Sequence, residues 1–409
     1  MNIGLFSDCY LPTRNGVSRA VHLLKSGLEA QGHRVVLVTV GYPGSSGNET
    51  PDAAALNPGA ESSGISYFLP SIPFRPDIGL RTALTTPAAI RRIIIREKLD
   101  ILHSHTEFSI GSAGRRAGIS LGLPMVHTFH TLYEHYRHYI PLGPCIPKHL
   151  IRKKVSCFLH PYRAVICPSQ KAQSYIRGCI GTDRTVHIPN GISRPPAALL
   201  EESRKDIPLL SSFRTQKIIL YVGRLADEKR SIQLISLITP VLEKRRDCIF
   251  VLAGGGPQKR KIETLVRGKG LQGRIILPGF LPHREIMQLF GSAYLFVTAA
   301  VSENHPLSLL EACAAGLPVV ARQDPGFTGI VEQNLNGFQT RTDSEFRQAV
   351  EKLLSDSPLR DRFGSRSRLI AGRFTLSGHI RRVEEVYRDC IGSCTGREGT
   401  KKKCEDPTG

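Results

Sequence analysis

Along this chain, short runs of nearly uninterrupted apolar residues alternate with longer stretches whose apolar positions recur at helical spacing. In the first half, "NIGLFSD" leads through the loop "CYLPTRNG" into a helical pattern from Val17 to about Gln31, and "GHRVVLVTV" starts the next strand. The runs "DILHSHT", "PMVHTFH", "AVICPS" and "TVHIPNG" follow. The second half repeats the arrangement with "KIILYVG", "CIFVLAGG", "RIILPG", "YLFVTAA" and "LPVVAR", each separated by a helical segment. A strand apolar on both faces is covered on both faces, which is the mark of parallel sheets sandwiched by helices. The pattern predicts an α/β protein of two doubly wound parallel-sheet domains, spanning 1–195 and 217–375, with a Pro-, Ser- and charge-rich linker at 196–216. A helix over 376–393 is expected to pack back on the N-terminal domain, residues 394–409 to form a disordered basic tail, and the Gly/Ser/Asn-rich segment 48–64 to be a surface loop.

The length of 409 residues agrees with two domains rather than one. No run approaches the roughly 20 apolar residues of a membrane span, and "MNIGLFSD" lacks the features of a signal peptide. The ten cysteines are scattered without a CxxC pair, so reduced thiols in a cytoplasm are expected. Charge changes the picture more. Fifty-five Lys and Arg against 35 Asp and Glu leave a net charge of +20, which suits an anionic partner: nucleic acid, an acidic lipid surface or phosphorylated small molecules. With no Trp, 7% aromatic residues and no recognisable binding module, nucleic acid is not the expected partner. The basic segments 88–100 and 147–160 mix cations with apolar residues at helical spacing. They read either as solvated helices with a core-facing stripe or as interfacial helices on anionic lipid.

In open α/β sheets, ligands bind beyond the carboxyl ends of strands, often at a helix N-terminus. Three junctions here have that form. In "FSDCYLPTRNGVSRAV", Gly16 opens a helix and, without a Cβ, lets the backbone approach a phosphate, although a turn alone would also explain it. In "LYVGRLADEKR", Arg224 and Lys229 follow a strand end and can neutralise a diphosphate leaving group, with solvated surface charge as the plain alternative. The chain has no Asp-x-Asp pair to hold a metal against such a group, so no metal is expected and fixed cations would take its place. In "SENHPLSLLEACAAGLPVVA", a helix is expected to begin with Pro306 in its first turn, leaving the N–H groups of Leu307 and Ser308 for an anion. Glu303 and Glu311, with seven residues between them, would repel phosphate but accept hydrogen bonds from sugar and ribose hydroxyls. His103 and His105 lie at the end of "DILHSHT" and Glu107 just beyond it, and the three are candidates for an acceptor side. The histidines His127, His130, His135 and His138 invite a metal reading, but "HTLYEH" has one residue too many between His130 and Glu134 for an inverted zincin motif.

"ENHPLSLLE" resembles the E-x7-E motif of the retaining glycosyltransferases of family 4, and "VGRLADEK", "AGGGP", "PGFLPHREI" and "EACAAGLPVVA" fall in that family's order and spacing. "ILHSHTEFSIGSAGRRAG" followed by "GLPMVHTFHTLYEHYRHYI" is similar to the first domain of diacylglycerol 3-glucosyltransferases. The resemblance implies the GT-B fold, two Rossmann-like domains facing a central cleft. It also implies a nucleotide-sugar co-substrate with no further cofactor, and a lipid acceptor reached from the inner face of the cell membrane. It would place Gly16, Arg224 and Lys229 on the donor diphosphate, Glu311 on the ribose and Leu281 near the base. Glu303, the backbone around Leu307 and Ser308, and His130 from the other domain would meet the transferred hexose. The expected reaction is transfer of glucose from UDP-glucose to diacylglycerol with retention. Open alternatives are GDP-mannose as donor, and phosphatidylinositol or a soluble or polysaccharide acceptor. One departure bears on the donor: Pro306 stands where the family often has Gly, beside Asn304 and His305, so the hexose is left open.

Overall fold

The computed structural model describes residues 1–42, 65–75, 79–136, 146–181, 183–201, 213 and 215–398. The N-terminal strands are β1 (Asn2–Ser7), β2 (Arg34–Val40), β3 (Ile65–Leu69), the hairpin pair β4 (Ser71–Arg75) and β5 (Leu80–Ala83), β6 (Ile101–Ser104), β7 (Met125–Thr128), β8 (Ala164–Cys167) and β9 (Thr185–His187). Seven of them form one parallel sheet in the order β3-β2-β1-β6-β7-β8-β9. The second sheet contains β10 (Lys217–Val222), β11 (Cys248–Ala253), β12 (Ile275–Gly279), β13 (Leu295–Thr298), β14 (Val319–Arg322) and β15 (Gly337–Thr340). Its six strands are also parallel, in the order β12-β11-β10-β13-β14-β15.

The helices of the first domain are α1 (Gly16–Ala30), α2 (Pro87–Arg96), α3 (Ser109–Leu121), α4 (Lys148–Leu159) and α5 (Gln170–Ile180). A short α6 (Ala197–Glu201) leads to α7 (Ser231–Lys244), α8 (Lys259–Gly268), α9 (His283–Ser292), α10 (Leu307–Ala314), α11 (Asp343–Ser355), α12 (Ser357–Ala371) and α13 (Leu376–Glu398). These helices cover both faces of each sheet, which is why strand residues such as Ile3, Leu5, Val36 and Leu37, or Ile219, Leu220, Phe250 and Val251, are fully enclosed. The architecture is the GT-B fold, two α/β domains with a parallel sheet each.

Strand order dictates where ligands can enter. Each sheet reverses direction of growth beside its first strand, between β1 and β6 and between β10 and β13, so the connections leave on opposite faces and a crevice opens at the carboxyl ends of those strands. The segments that follow β1, β6, β10 and β13 hold Gly16, His105 and Glu107, Arg224 and Lys229, and Glu303.

The chain crosses between domains twice, side by side: Ile192 N–H donates to Phe374 O and Leu376 N–H to Ile192 O, both at 2.9 Å. After the second crossing α13 lies on the first domain. Its Ile380, Val383 and Tyr387 join Ile3, Leu5, Ile101 and Val126 in one core, and a Cβ at Gly27 of α1 would stand 2.6 Å from Ile380. The helix continues past residue 393 to Glu398, and residues 399–409 are outside the described set. Within the 196–216 segment, α6 sits so close to α9 that a Cβ at Gly291 would be 2.2 Å from Leu200 O.

The deepest tie of α13 to the first sheet is polar. Tyr387 and His103 are fully enclosed, with the Tyr387 hydroxyl 2.6 Å from His103 Nδ1 and His103 Nε2 2.7 Å from Thr128 Oγ1. Tyr387→Phe is expected to leave a buried ring nitrogen without a partner and to lower stability by about 1–3 kcal/mol, read as a reduced urea midpoint.

Candidate active site

On the second domain, backbone packing fixes the cationic loop. Gly223 N–H donates to Ala253 O at 3.0 Å and Leu225 N–H to Gly255 O at 2.9 Å, lacing the ends of β10 and β11 together. Gly254, at φ +139°, allows this approach, since a Cβ there would be 2.0 Å from Gly223 O. The Tyr221 hydroxyl donates to Arg224 O at 2.9 Å. Asp227–Lys229 then forms a single 3-10 turn, which brings Lys229 Nζ to 2.6 Å from Glu303 Oε1. Burial by itself pulls the Lys229 ammonium down, but the Glu303 carboxylate with Tyr136 and Tyr221 more than reverses this, and its pKa is raised. Lys229 is a fixed cation.

Glu303 lies beyond β13, in a loop whose Ser302 hydroxyl donates to Glu228 O at 2.9 Å. Pro306 is the N-cap of α10, with φ −74° and ψ 120°, one position outside the first turn where the sequence places it. No side chain caps α10, so the N–H groups of Leu307 and Ser308 open its positive end. The Leu307 side chain packs into the core; Ser308 is half-buried. Glu311, one turn in, is buried, with Arg19 Nη2 of the first domain 3.8 Å from its carboxylate. Burial pushes the Glu311 carboxyl up, and Arg19 opposes the shift. The same Arg19 nitrogen is 2.9 Å from His283 Nε2, and its Nε and Nη1 are buried without a partner. Burial, with Arg19 and His22 beside it, takes His283 down to about 3, so the ring is a neutral acceptor for Arg19. Leu281 O accepts from Arg14 Nη1 at 3.4 Å, so the edge of the site that holds Leu281 also meets the first domain.

On the first domain, Gly16 opens α1 behind a capping box of Asn15 and Ser18, and the space where its Cβ would stand is empty to 4 Å. His130 and His105 stack with Nε2 of the first 3.1 Å from Nδ1 of the second, and His105 Nε2 is buried without a partner. Burial, with His127 and His379 nearby, takes His130 down to about 3, so the ring is a neutral imidazole near neutrality. Glu107 is 3.1 Å from His127 Nε2 and accepts from the Tyr133 hydroxyl. His103, with both nitrogens engaged below the surface, supports this floor without reaching the cleft. Asp8, which sequence reasoning did not single out, anchors the same floor through Thr106 Oγ1 at 2.7 Å and Ile110 N–H at 2.8 Å. His138 lies outside the described residues. Among the described residues, no group of three His, Cys, Asp or Glu is arranged to hold a metal ion.

The two sides meet. Asn304 Nδ2 donates to His130 O at 2.8 Å, Asn190 Nδ2 to His305 O at 2.9 Å, and Lys171 Nζ to Glu303 O at 3.1 Å and Asp324 Oδ1 at 2.7 Å. His130, Glu303, Lys229 and the start of α10 thus border one cleft. Arg19, Asn190, Lys171 and Asp324 are parts that sequence reasoning missed. Arg19 had a signal, three residues beyond Gly16 on the same helix; the others join only through the fold. Chemically, the cleft offers fixed cations and open N–H groups for phosphate oxygens and carboxylates for hydroxyls, which is the complement of a sugar nucleotide.

Comparison with known proteins agrees. Residues 14–194 match the family Glycosyltransferase Family 4, and residues 203–369 match Glycosyl transferases group 1. The chain is 28% identical over 398 residues to the alpha-monoglucosyldiacylglycerol synthase of Streptococcus pneumoniae, covering 96% of this chain and 86% of that one. It is 26% identical over 362 residues to the phosphatidylinositol N-acetylglucosaminyltransferase GPI3 subunit of Saccharomyces cerevisiae, covering 87% and 75%. Among solved structures, Anabaena Alr3699/HepE in complex with UDP-glucose superposes with a TM-score of 0.74 at 17% identity, covering 95% of this chain and all of that one, a likeness of fold. With both halves of the chain matched and the cleft assembled between them, the chain belongs to the family 4 glycosyltransferases and is a hexosyltransferase that takes its sugar from a nucleotide sugar.

Proposed function

We propose that this enzyme transfers glucose from UDP-glucose to membrane diacylglycerol, with retention and without a metal ion. The observation that carries the reading is the meeting of Lys229 and Glu303 at 2.6 Å below the uncapped start of α10. In the transition state the bond from the sugar to the diphosphate breaks and negative charge grows on the leaving oxygen. Arg224, Lys229 and the N–H groups of Leu307 and Ser308 stand ready for that charge, which is the form of catalysis that costs least reorganisation. Gly16 admits the diphosphate to the first domain. Glu311 takes the ribose hydroxyls, Leu281 borders the base, and Glu303 and neutral His130 hold the hexose. His105, with a ring nitrogen lacking a partner, and Glu107 face the acceptor.

The lipid acceptor is supported by the synthase relative and by the distribution of charge. Arg91, Arg92, Arg96 and Lys98 in and after α2, and Lys148, Arg152, Lys153 and Lys154 on α4, are exposed, while Ile90, Ile94, Val155 and Leu159 turn inward. Among the described residues, no helix is long and apolar enough to cross a membrane. The enzyme is therefore read as docking peripherally on the inner face of the cell membrane, with anionic lipid rather than nucleic acid answering the basic surface. A phosphatidylinositol acceptor is the second reading, favoured by the other relative.

The deciding experiment incubates the purified protein with vesicles of diacylglycerol, with and without anionic lipid, and a panel of labelled sugar nucleotides. Glucosyl-diacylglycerol formed from UDP-glucose, faster with anionic lipid and slower with added salt, supports the reading; product only on phosphatidylinositol, or only with GDP-mannose, replaces it. Lys229→Ala is expected to lower kcat by about 10²–10³-fold with the unfolding midpoint retained. The pH profile tests Glu311. Its raised pKa means that it gains a proton above the ordinary glutamate value of about 4.3, and the protonated group loses acceptor capacity. Donor KM should therefore climb on acidification before exposed glutamates titrate, and Glu311→Gln should give a high KM that no longer changes with pH.

A further inference from the structure

Three successive residues of the loop before α10 are bonded to the opposite domain: Glu303 O to Lys171, the Asn304 side chain to His130 O, and His305 O to Asn190. The peptide of Glu303 is gripped most closely. Its N–H donates to Asp324 Oδ2 at 3.2 Å, and Lys171 bridges Glu303 O, at 3.1 Å, and Asp324 Oδ1, at 2.7 Å. Gly326 N–H also donates to Asp324 Oδ1, at 2.6 Å, and a Cβ at Gly326 would stand 2.1 Å from Glu303 O, so the pocket around that carbonyl admits nothing larger. The Asp324 carboxylate is fully enclosed, and a buried carboxylate without a cation is strongly disfavoured. The cation here comes from the first domain.

Helix chemistry does not account for that lysine. Lys171 is the second residue of α5, behind the Ser169 cap, where the helix dipole favours acids and disfavours cations. The capped first turn is, however, a rigid mount for a side chain that must reach a fixed point across a cleft.

We infer that Lys171 is a positioning residue: from the first domain it locks the backbone of Glu303 through Asp324 and so aims the Glu303 carboxylate at the transferred hexose only when the two domains are together. The inference rests on the reading of Glu303 as the hexose-contacting acid. When the domains part, Lys171 withdraws, Asp324 loses its cation and the Glu303 peptide is released. The nucleoside end, built on Glu311 and Leu281, is not held by this bridge, so nucleotide binding and sugar alignment are separable.

The test measures UDP-glucose turnover together with UDP binding. Lys171→Met is expected to lower kcat about 100-fold, the scale on which a misplacement of about 1 Å acts, with UDP affinity unchanged and Lys171→Arg restoring most of the rate. Because Lys171→Met strands a buried carboxylate, the double variant Lys171→Met with Asp324→Asn is measured beside it; it should recover the wild-type unfolding midpoint and stay slow. Wild-type kcat in either methionine variant overturns the inference, as does a joint loss of UDP affinity and stability that the double variant repairs along with the rate. Glu303→Gln separates the two levels. If it is slow while Lys171→Met is normal, the positioning role alone is wrong; if it is itself fully active, the hexose reading fails and the inference with it.

Discussion

Taking an ammonium out of water costs several kcal/mol unless an anion stands close by, and in this cleft the anion for Lys229 is Glu303, 2.6 Å away. The pairing holds the Lys229 ammonium charged beside the Glu303 loop. It also leaves both groups exchangeable. A diphosphate offers the lysine a stronger, doubly anionic partner, and the carboxylate so released needs hydrogen-bond donors, which a hexose supplies. In the function proposed here, the resting ion pair is thus a template of the two contacts that replace it.

Everything around the pair serves to hold it in place. Glycine at 254 lets two strand ends touch backbone to backbone, so the lysine loop is anchored to the sheet, with the Tyr221 hydroxyl on Arg224 O adding a side-chain tie. The glutamate loop is tied from three directions: to Glu228 by Ser302, to Asp324 within its own domain, and to Lys171, His130 and Asn190 across the cleft. Neutral histidines complete the walls. Burial takes the His130 and His283 imidazoles down to about 3, so these two rings add no positive charge to the cleft near neutrality.

Much of this was legible in the amino-acid sequence. Strands buried on both faces announce themselves as apolar runs, so β1, β2, β6–β9 and β10–β14 were readable, and two such sets implied two sheets. Short or half-exposed strands carry no such mark: β15 is "GFQT", opening on a glycine, and β3 to β5 are punctuated by Pro70 and Pro73. Arg224, Lys229 and Glu303 follow strand ends, where chemistry can be argued from position, and the fold brings Lys229 and Glu303 to 2.6 Å. The bridge of Lys171 to Asp324 joins residues 153 positions apart, and nothing local distinguishes that lysine from other surface cations. The start of α10 shows the limit of local rules: proline is compatible with the cap as well as the first turn, and here it takes the cap.

The return of α13 to the first domain has a bearing on biosynthesis. Ile3, Leu5 and Val126 belong to a core whose lid is Ile380, Val383, Val386 and Tyr387. During translation, the leading domain therefore emerges with one apolar face bare and stays so while the entire trailing domain is made. Domains ordinarily mature in order of synthesis; here the core of the N-terminal domain closes only when α13, beyond the C-terminal domain, has been made.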